Sequence, residues 1–371
     1  MKILIIIFIY SLFSSISYAS EYKLEKVIDN LNKPWGMSFV NDDELFLTQK
    51  TGEILKINLK TKEVINFEHD LKVVQPHWQA GMLDILYSNE EIFVSYTEDI
   101  GNDKKWCKWF SSWCDSYTST SIARGLIQDN ELVSLNNIFQ SKPPLVDKIH
   151  WGSRLMIKDD LLYASVGERA QGSVTQDPTN HIGKIIRINR DGSAPKDNPY
   201  SSEPNWLPEV FQVGLRNPQG MALNSNDSSI YITNHGPKGG DFFGEVVKGT
   251  NYGWMDVAWG GTDYDGSIIG DGSAWKEGLL KPIYRWIPSI AVSDMIFYKG
   301  NFFPELNDKV ILTSLKAQRL ISLDFNDGKA SNETVLIEGM GRLRDVEQNE
   351  SGEIFVIIDD NNSGIWKLVK K

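Results

Sequence analysis

The stretch SRLMIKDDLLYASVG, residues 153–167, reads as an apolar-alternating segment, a polar turn at Asp159-Asp160 and a second, largely apolar segment. That is the pattern of a β-hairpin. The same unit recurs as WGMSFVNDDELFLTQ from Trp35, MLDILYSNEEIFVSY from Met82, QGMALNSNDSSIYITN from Gln219, DMIFYKGNFFPELNDKVILTS from Asp294 and RDVEQNESGEIFVIID from Arg344. In chain order the six starts are 47, 71, 66, 75 and 50 residues apart, and the intervals hold further strand-like runs such as GEILKINLK, GKIIRINR and RLISLDF. Intervals of that size fit four short strands plus insertions, the period of a propeller blade rather than of a helical solenoid. Six such units predict an all-β fold, a six-bladed β-propeller. Convincing amphipathic helices are scarce and no internal boundary stands out, so residues 20–371 are expected to form a single domain.

The chain of 371 residues is 41% hydrophobic, enough for a substantial core. Its 38 Lys and Arg against 49 Asp and Glu give a formal charge of −11. A broad nucleic-acid or anionic-membrane surface is therefore not expected, and any cationic cluster must be local. The opening MKILIIIFIYSLFSSISYAS places Lys2 before an apolar run from Ile3 to Phe13 and ends in small and polar residues. This is the layout of a signal peptide over residues 1–19, cleaved after Ala19, and it predicts a periplasmic or secreted protein. No later run is long enough for a membrane span. The two cysteines, Cys107 and Cys114, lie in KKWCKWFSSWCDS between strand-like segments. In an oxidising compartment they are expected to form a local disulfide, with free thiols as the alternative. The interleaved Trp106, Trp109 and Trp113 fit packing over that loop or a partner-binding knob.

Polar elements flank the hairpins: HWQAG, KIHWGSR, GLRNPQG, SLKAQRL and GMGRLRD. Loops of successive blades meet at the mouth of a propeller channel, so these elements would bring Gln79, His150, Arg216, Asn217, Lys316, Arg342 and Arg344 together. Four of those seven are cations in an acidic protein. Strand periodicity places Arg342 and Arg344 on one face, where like charges repel unless an anion lies between them. Taken singly, each Arg also reads as a surface ion-pair partner and His150 as a structural histidine. In NHGPKGGDFFG, the carbonyls of Gly236 and Pro237 suit a hard cation such as Ca²⁺, or the segment is a plain Gly/Pro turn. No GxGxxG after a strand, GxxxxGK[ST], HExxH or GxSxG occurs, so nucleotide, zinc-protease and serine-hydrolase readings lack their anchors.

These residues resemble the glucose/sorbosone dehydrogenase family, in particular the aldose sugar dehydrogenases that use pyrroloquinoline quinone. The correspondence runs from LNKPWGMSF to GEIFVIIDDNNSGIWKL and includes QAGMLDI, HWGSRL, LLYASVGERA, GLRNPQGMA, HGPKGGD, SLKAQRL and GRLRDV. The resemblance implies a six-bladed propeller that oxidises aldoses at the anomeric carbon to lactones. It implies His150 as general base and Arg216 as the group that polarises the quinone oxygen. It also implies Gln79, Asn217, Lys316, Arg342 and Arg344 as cofactor-binding residues, with Gly236 and Pro237 as carbonyl ligands of Ca²⁺. The expected partners are an aldose substrate and an electron acceptor, a quinone or small redox protein, with the chain a monomer or homodimer. Two departures stand out: position 234, commonly acidic, is Asn234, and Asp241 is followed by Phe242, Phe243 and Gly244. A non-enzymatic binding propeller and a Ca²⁺-dependent lactone hydrolase are the alternatives. The first is expected to lack His150 or Arg216, and the second needs Asn, Asp or Glu side chains as metal ligands on the channel axis.

Overall fold

The computed structural model describes residues 21–74, 78–102, 116–146 and 149–371. The segment expected to be a leader, 1–19, and both cysteines lie outside the described residues. The chain opens with β1 (Tyr22–Leu31), which is set aside for the last blade. Blade 1 is β2 (Pro34–Phe39), β3 (Glu44–Gln49), β4 (Ile54–Asn58) and β5 (Val64–Phe67). Blade 2 is β6 (Met82–Ser88), β7 (Glu91–Gly101), β8 (Tyr117–Gln128) and β9 (Glu131–Gln140). Blade 3 is β10 (Gly152–Lys158), β11 (Leu161–Val166), β12 (Lys184–Asn189) and β13 (Val210–Gln212). Blade 4 is β14 (Pro218–Asn224), β15 (Ser229–Asn234), β16 (Asp241–Glu245) and β17 (Tyr284–Trp286). Blade 5 is β18 (Val292–Phe297), β19 (Lys309–Ser314), β20 (Arg319–Asn326) and β21 (Lys329–Glu338). Blade 6 comprises β22 (Leu343–Gln348), β23 (Ile354–Ile358), β24 (Ser363–Lys370) and, at its outer edge, β1.

Each hairpin marked in the sequence supplies the two inner strands of one blade, and the six innermost strands pack side by side around the axis. Strand β1 pairs antiparallel with β24, from Tyr22 opposite Lys370 to Leu31 opposite Ser363, and the Lys371 amide reaches the Glu21 carbonyl at 2.9 Å. The first and last strands among the described residues thus share one blade. Sheets buried on both faces need apolar residues on both, and six clusters fill the gaps between successive blades. Phe46 and Ile54 of blade 1 meet Ile85 and Val94 of blade 2, for example, and Met37 and Leu47 meet Phe355 and Ile357 across the closing seam. The helical segments among the described residues are two short 3₁₀ turns, and none is long and apolar enough to cross a membrane.

The six innermost strands share one irregularity. Each breaks register with its neighbour near its start, as between Met82 and Ile85 or Gly152 and Leu155. Such bulges bend a strand and re-aim its side chains. The third residue of each inner strand is Gly36, Asp84, Arg154, Gly220, Asp294 or Asp345. Arg154 occupies the axis, its Nη1 2.9 Å from Asp84 Oδ1 and 2.5 Å from Asp345 Oδ1, its Nε 3.4 Å from Asp294 Oδ1. The carboxylates also staple blades together: Asp84 Oδ2 accepts the Leu155 amide and Asp345 Oδ2 the Met37 amide, each at 2.8 Å. Gly36 leaves the room this needs, since a Cβ there would come within 2.6 Å of Asp84 Oδ1. Burial pushes the Asp84 carboxyl up to about 6 and those of Asp294 and Glu347 well above the usual range, partly against the pull of Arg154. This charged plug divides the axis. One cavity of about 240 Å³ lies toward the starts of the inner strands, and another of about 190 Å³ toward their ends.

Candidate active site

The larger of these two axial cavities is lined by Trp35, Trp151, Gly152, Asn217, Gln219 and Arg344 from the inner strands and their approaches, and by Gln79, Tyr264 and Arg342 toward its rim. His150 stands beside it, two residues before β10, in the left-handed region at φ 56°. Its backbone is gripped on two sides. The amide donates to Gln79 Oε1 at 2.8 Å, and the carbonyl lies against Gly167, where a Cβ would approach to 2.1 Å. Only glycine tolerates that approach, so the strand end at Gly167 and the His150 carbonyl fit face to face.

The imidazole Nδ1 bonds to Oε1 of Glu168, a buried residue that the sequence analysis did not single out. An ionised carboxylate only accepts, so Nδ1 carries the proton and the Nε2 lone pair is left for chemistry. Burial lowers the His150 pKa below its ordinary value; Glu168 works against this, and Arg216 and Arg169 add to it. The ring is therefore neutral near pH 7, the form a base requires. The Glu168 amide donates in turn to the Arg216 carbonyl at 2.7 Å, which ties the two sequence-derived residues into one unit.

Arg216 lies on the turn between β13 and β14 and is buried, with its guanidinium 5.5 Å from the Trp254 ring and 5.9 Å from the Tyr264 ring. Its Nη1 donates to the Gly236 carbonyl at 3.1 Å. Asn217 accepts the Gly152 amide at 3.0 Å and so locks β14 to β10. Asn234 explains its departure from an acidic residue: its Oδ1 accepts both the Arg216 and Asn217 amides, at 3.1 and 2.9 Å. A neutral carboxamide meets that need without placing a charge beside Arg216. Gly236 and Pro237 occupy the β15–β16 loop, which Asp241 holds by accepting the Gly236 amide at 2.8 Å and the Val292 amide at 3.2 Å.

Arg344 is buried, donating from Nη2 to Asp359 Oδ2 at 3.0 Å and from Nη1 to Gln219 Oε1 at 2.8 Å. Arg342 is half exposed, with Nε 4.0 Å from the same Asp359 oxygen. Both line the cavity, whereas Lys316 is exposed and only its neighbour Leu315 is among the lining residues. Two donors in the cavity wall, Arg344 Nε and Trp151 Nε1, are buried without a hydrogen-bond partner. Orphan buried donors on a cationic wall fit a flat anionic group with carboxylate or carbonyl oxygens. Lys50 and Asp359, both lining the cavity, were also missed from sequence. Among the described residues no group of three or more His, Cys, Asp or Glu is arranged to hold a metal.

The sequence matches the family described as Glucose / Sorbosone dehydrogenase over residues 31–367. It is 29% identical to the aldose sugar dehydrogenase YliI of Escherichia coli (strain K12) over 355 residues, covering 93% of this chain and 92% of that one. The apo-form crystal structure of the soluble aldose sugar dehydrogenase from Escherichia coli superposes with a TM-score of 0.85 at 27% identity, covering 94% of this chain and all of that one. The PQQ-bound aldose sugar dehydrogenase from Streptomyces coelicolor shares the fold, with a TM-score of 0.74 at 21% identity and coverage of 94% and 98%.

Proposed function

Since the chain belongs to the glucose/sorbosone dehydrogenase family, we propose that its channel-mouth cavity oxidises aldose sugars at the anomeric carbon to lactones, with pyrroloquinoline quinone and Ca²⁺ as cofactors. The observation that carries this reading is the junction of a carboxylate-oriented neutral histidine, His150 on Glu168, with a buried arginine, Arg216, beside a wall of unpaired donors. When bound, the quinone supplies a two-electron acceptor and Ca²⁺ supplies Lewis acidity at its oxygen. Arg344, Arg342 and Trp151 would hold the carboxylates and ring edge, with Asn217, Gln79 and the exposed Lys316 at the margin. The carbonyls of Gly236 and Pro237 are hard oxygens on a loop that Asp241 keeps rigid, which suits Ca²⁺.

In the reaction His150 Nε2 would take the proton from the anomeric hydroxyl as the hydride of the anomeric C–H passes to the two-electron acceptor that the bound quinone would supply and the C=O bond of the lactone forms. Glu168 stabilises the imidazolium that results, as a buried carboxylate behind a catalytic histidine does. Arg216 stands ready to stabilise negative charge that develops at the acceptor. The donor wall would fix the orientation of the bound group. The electron acceptor would be a quinone or small redox protein, and a cleavable leader over residues 1–19 would put the enzyme in the periplasm or outside the cell. A lactone hydrolase would need open axial carboxylates, and here those of Asp84, Asp294 and Asp345 surround Arg154.

Apoprotein given pyrroloquinoline quinone and Ca²⁺ should reduce an artificial acceptor in the presence of aldoses. Chelation should abolish the activity and Ca²⁺ restore it. Full activity in protein free of both quinone and metal would overturn the proposal.

A further inference from the structure

Lys50 is a buried cation in the wall of the larger axial cavity. It follows β3, and its backbone is clamped between two blades: its amide donates to the Lys33 carbonyl at 3.0 Å and its carbonyl accepts the Met82 amide at 3.2 Å. A Cβ on Gly81 would lie 2.2 Å from that carbonyl, so the clamp requires glycine opposite. The residue is only 6% exposed and lines the cavity with Arg342, Arg344 and Asp359. Its hydrogen bond is to the Trp78 carbonyl, at 3.1 Å, a neutral acceptor. Asp359 is the one carboxylate among the described residues lining this cavity, and its Oδ2 is already engaged by Arg344 and approached by Arg342.

Three cations, Lys50 and Arg344 buried and Arg342 half exposed, thus face one carboxylate. A buried ammonium without a carboxylate partner is costly, so the wall is short of negative charge. On the functional reading above, on which this inference rests, we propose that Lys50 binds a carboxylate of the quinone cofactor and that its protonation controls cofactor loading. The ammonium would donate a charge-assisted hydrogen bond from a side chain whose backbone is fixed before the cofactor arrives.

The charged groups around Lys50 are Lys33 on the turn before β2, Arg342 and Arg344 at the start of β22, and Asp359 after β23. His235 also lines the cavity, and burial pushes it down to about 3, so it is neutral throughout. Burial works to raise Asp359, but Arg344, Lys50 and Arg342 outweigh it and hold its carboxyl below the usual range, so it stays ionised. Lys50 is pushed down to about 8, chiefly by burial and then by Arg344, Lys33 and Arg342, against the pull of Asp359. An incoming carboxylate raises that value. Binding is therefore linked to proton uptake above about pH 8 and is insensitive to this group below it.

The test is quenching of tryptophan fluorescence by pyrroloquinoline quinone in the presence of Ca²⁺, between pH 6.5 and 10, since Trp35, Trp78 and Trp151 line the cavity. Wild-type Kd should be level below about pH 8 and then rise by up to about tenfold per pH unit. Lys50→Met should weaken binding about 10- to 100-fold at pH 7, the usual size for a charge-assisted hydrogen bond. Lys50→Arg, which stays charged, should bind with a flattened pH dependence, and it serves as the test if the methionine variant folds poorly. Unchanged affinity in Lys50→Met, or a wild-type slope in Lys50→Arg, would overturn the inference while leaving the functional reading in place. A wild-type protein that binds no quinone at any pH would overturn both.

Discussion

Replacing Glu168 by Gln removes the charge behind His150 and little else, because the two side chains have nearly the same shape. An opposite charge in contact shifts a pKa by about 1–3 units, so the base becomes weaker by that amount. Gln also offers an amide N–H to Nδ1, which would move the ring proton to Nε2 and leave no lone pair facing the substrate. The corresponding tautomer error in a serine-protease triad costs about 10⁴-fold, and loss of a general base costs about 10²- to 10⁴-fold. Turnover of Glu168→Gln at saturating quinone should therefore fall by about 10² to 10⁴. Because Glu168 contacts His150 and is not among the residues lining the cavity, quinone affinity should be little changed. The direction of the pH effect separates this from general damage. Rate rises with pH as His150 loses its proton, and its folded pKa already lies below the ordinary value. Without Glu168 it drops further, so the acid limb of kcat should move to lower pH even as the plateau falls. Glu168→Asp, which keeps the charge, should recover part of the loss. The assay is dye-coupled steady-state kinetics from pH 4.5 to 8.5. Wild-type turnover with an unmoved acid limb would refute the argument.

Arg154→Met leaves three buried carboxylates around an uncharged side chain and should destabilise the propeller by about 3–5 kcal/mol at pH 7. Acidification to pH 5 should recover part of this. The folded pKa of Asp84, already raised to about 6, rises further without the cation, and protonation then relieves the repulsion. Equal urea midpoints at the two pH values would count against the plug as an electrostatic device. Gly167→Ala would bring a Cβ to 2.1 Å from the His150 carbonyl. It should cost about 1–3 kcal/mol of stability through overpacking and lower kcat more than it changes quinone affinity. A thermal melt and kcat both at wild-type values would show that this strand end shifts freely.

The blade count was legible because each inner hairpin is buried on both faces, and burial imposes a period that survives loops of very different length. The plug was legible in principle. Asp84, Arg154, Asp294 and Asp345 each interrupt an apolar strand at the same place once the hairpins are superimposed. Glu168 and Lys50 were hidden for a different reason. Each directly follows or lies two residues beyond a strand end, where a charged side chain usually faces solvent, and only the three-dimensional convergence of loops buries them. Lys316 illustrates the converse. It was grouped with the other cations by its motif, yet the chain leaves it exposed beside the cavity rather than within it. The closing pair of β1 with β24 carries no local pattern, because its register is set between residues at opposite ends of the chain.

That pairing also sets a timetable. Tyr22 finds its partner only when Lys370 has been made, so β1 has no sheet to join while the other five blades assemble from neighbouring segments. Contacts so distant in sequence close late, and a strand left waiting exposes an unpaired edge meanwhile. Were the chain exported with its N-terminus leading, as proposed above, the waiting strand would be the first to emerge and its partner the last. On that route the ring is sealed only once β24 has followed, so passage and completion of the fold would come in a fixed order.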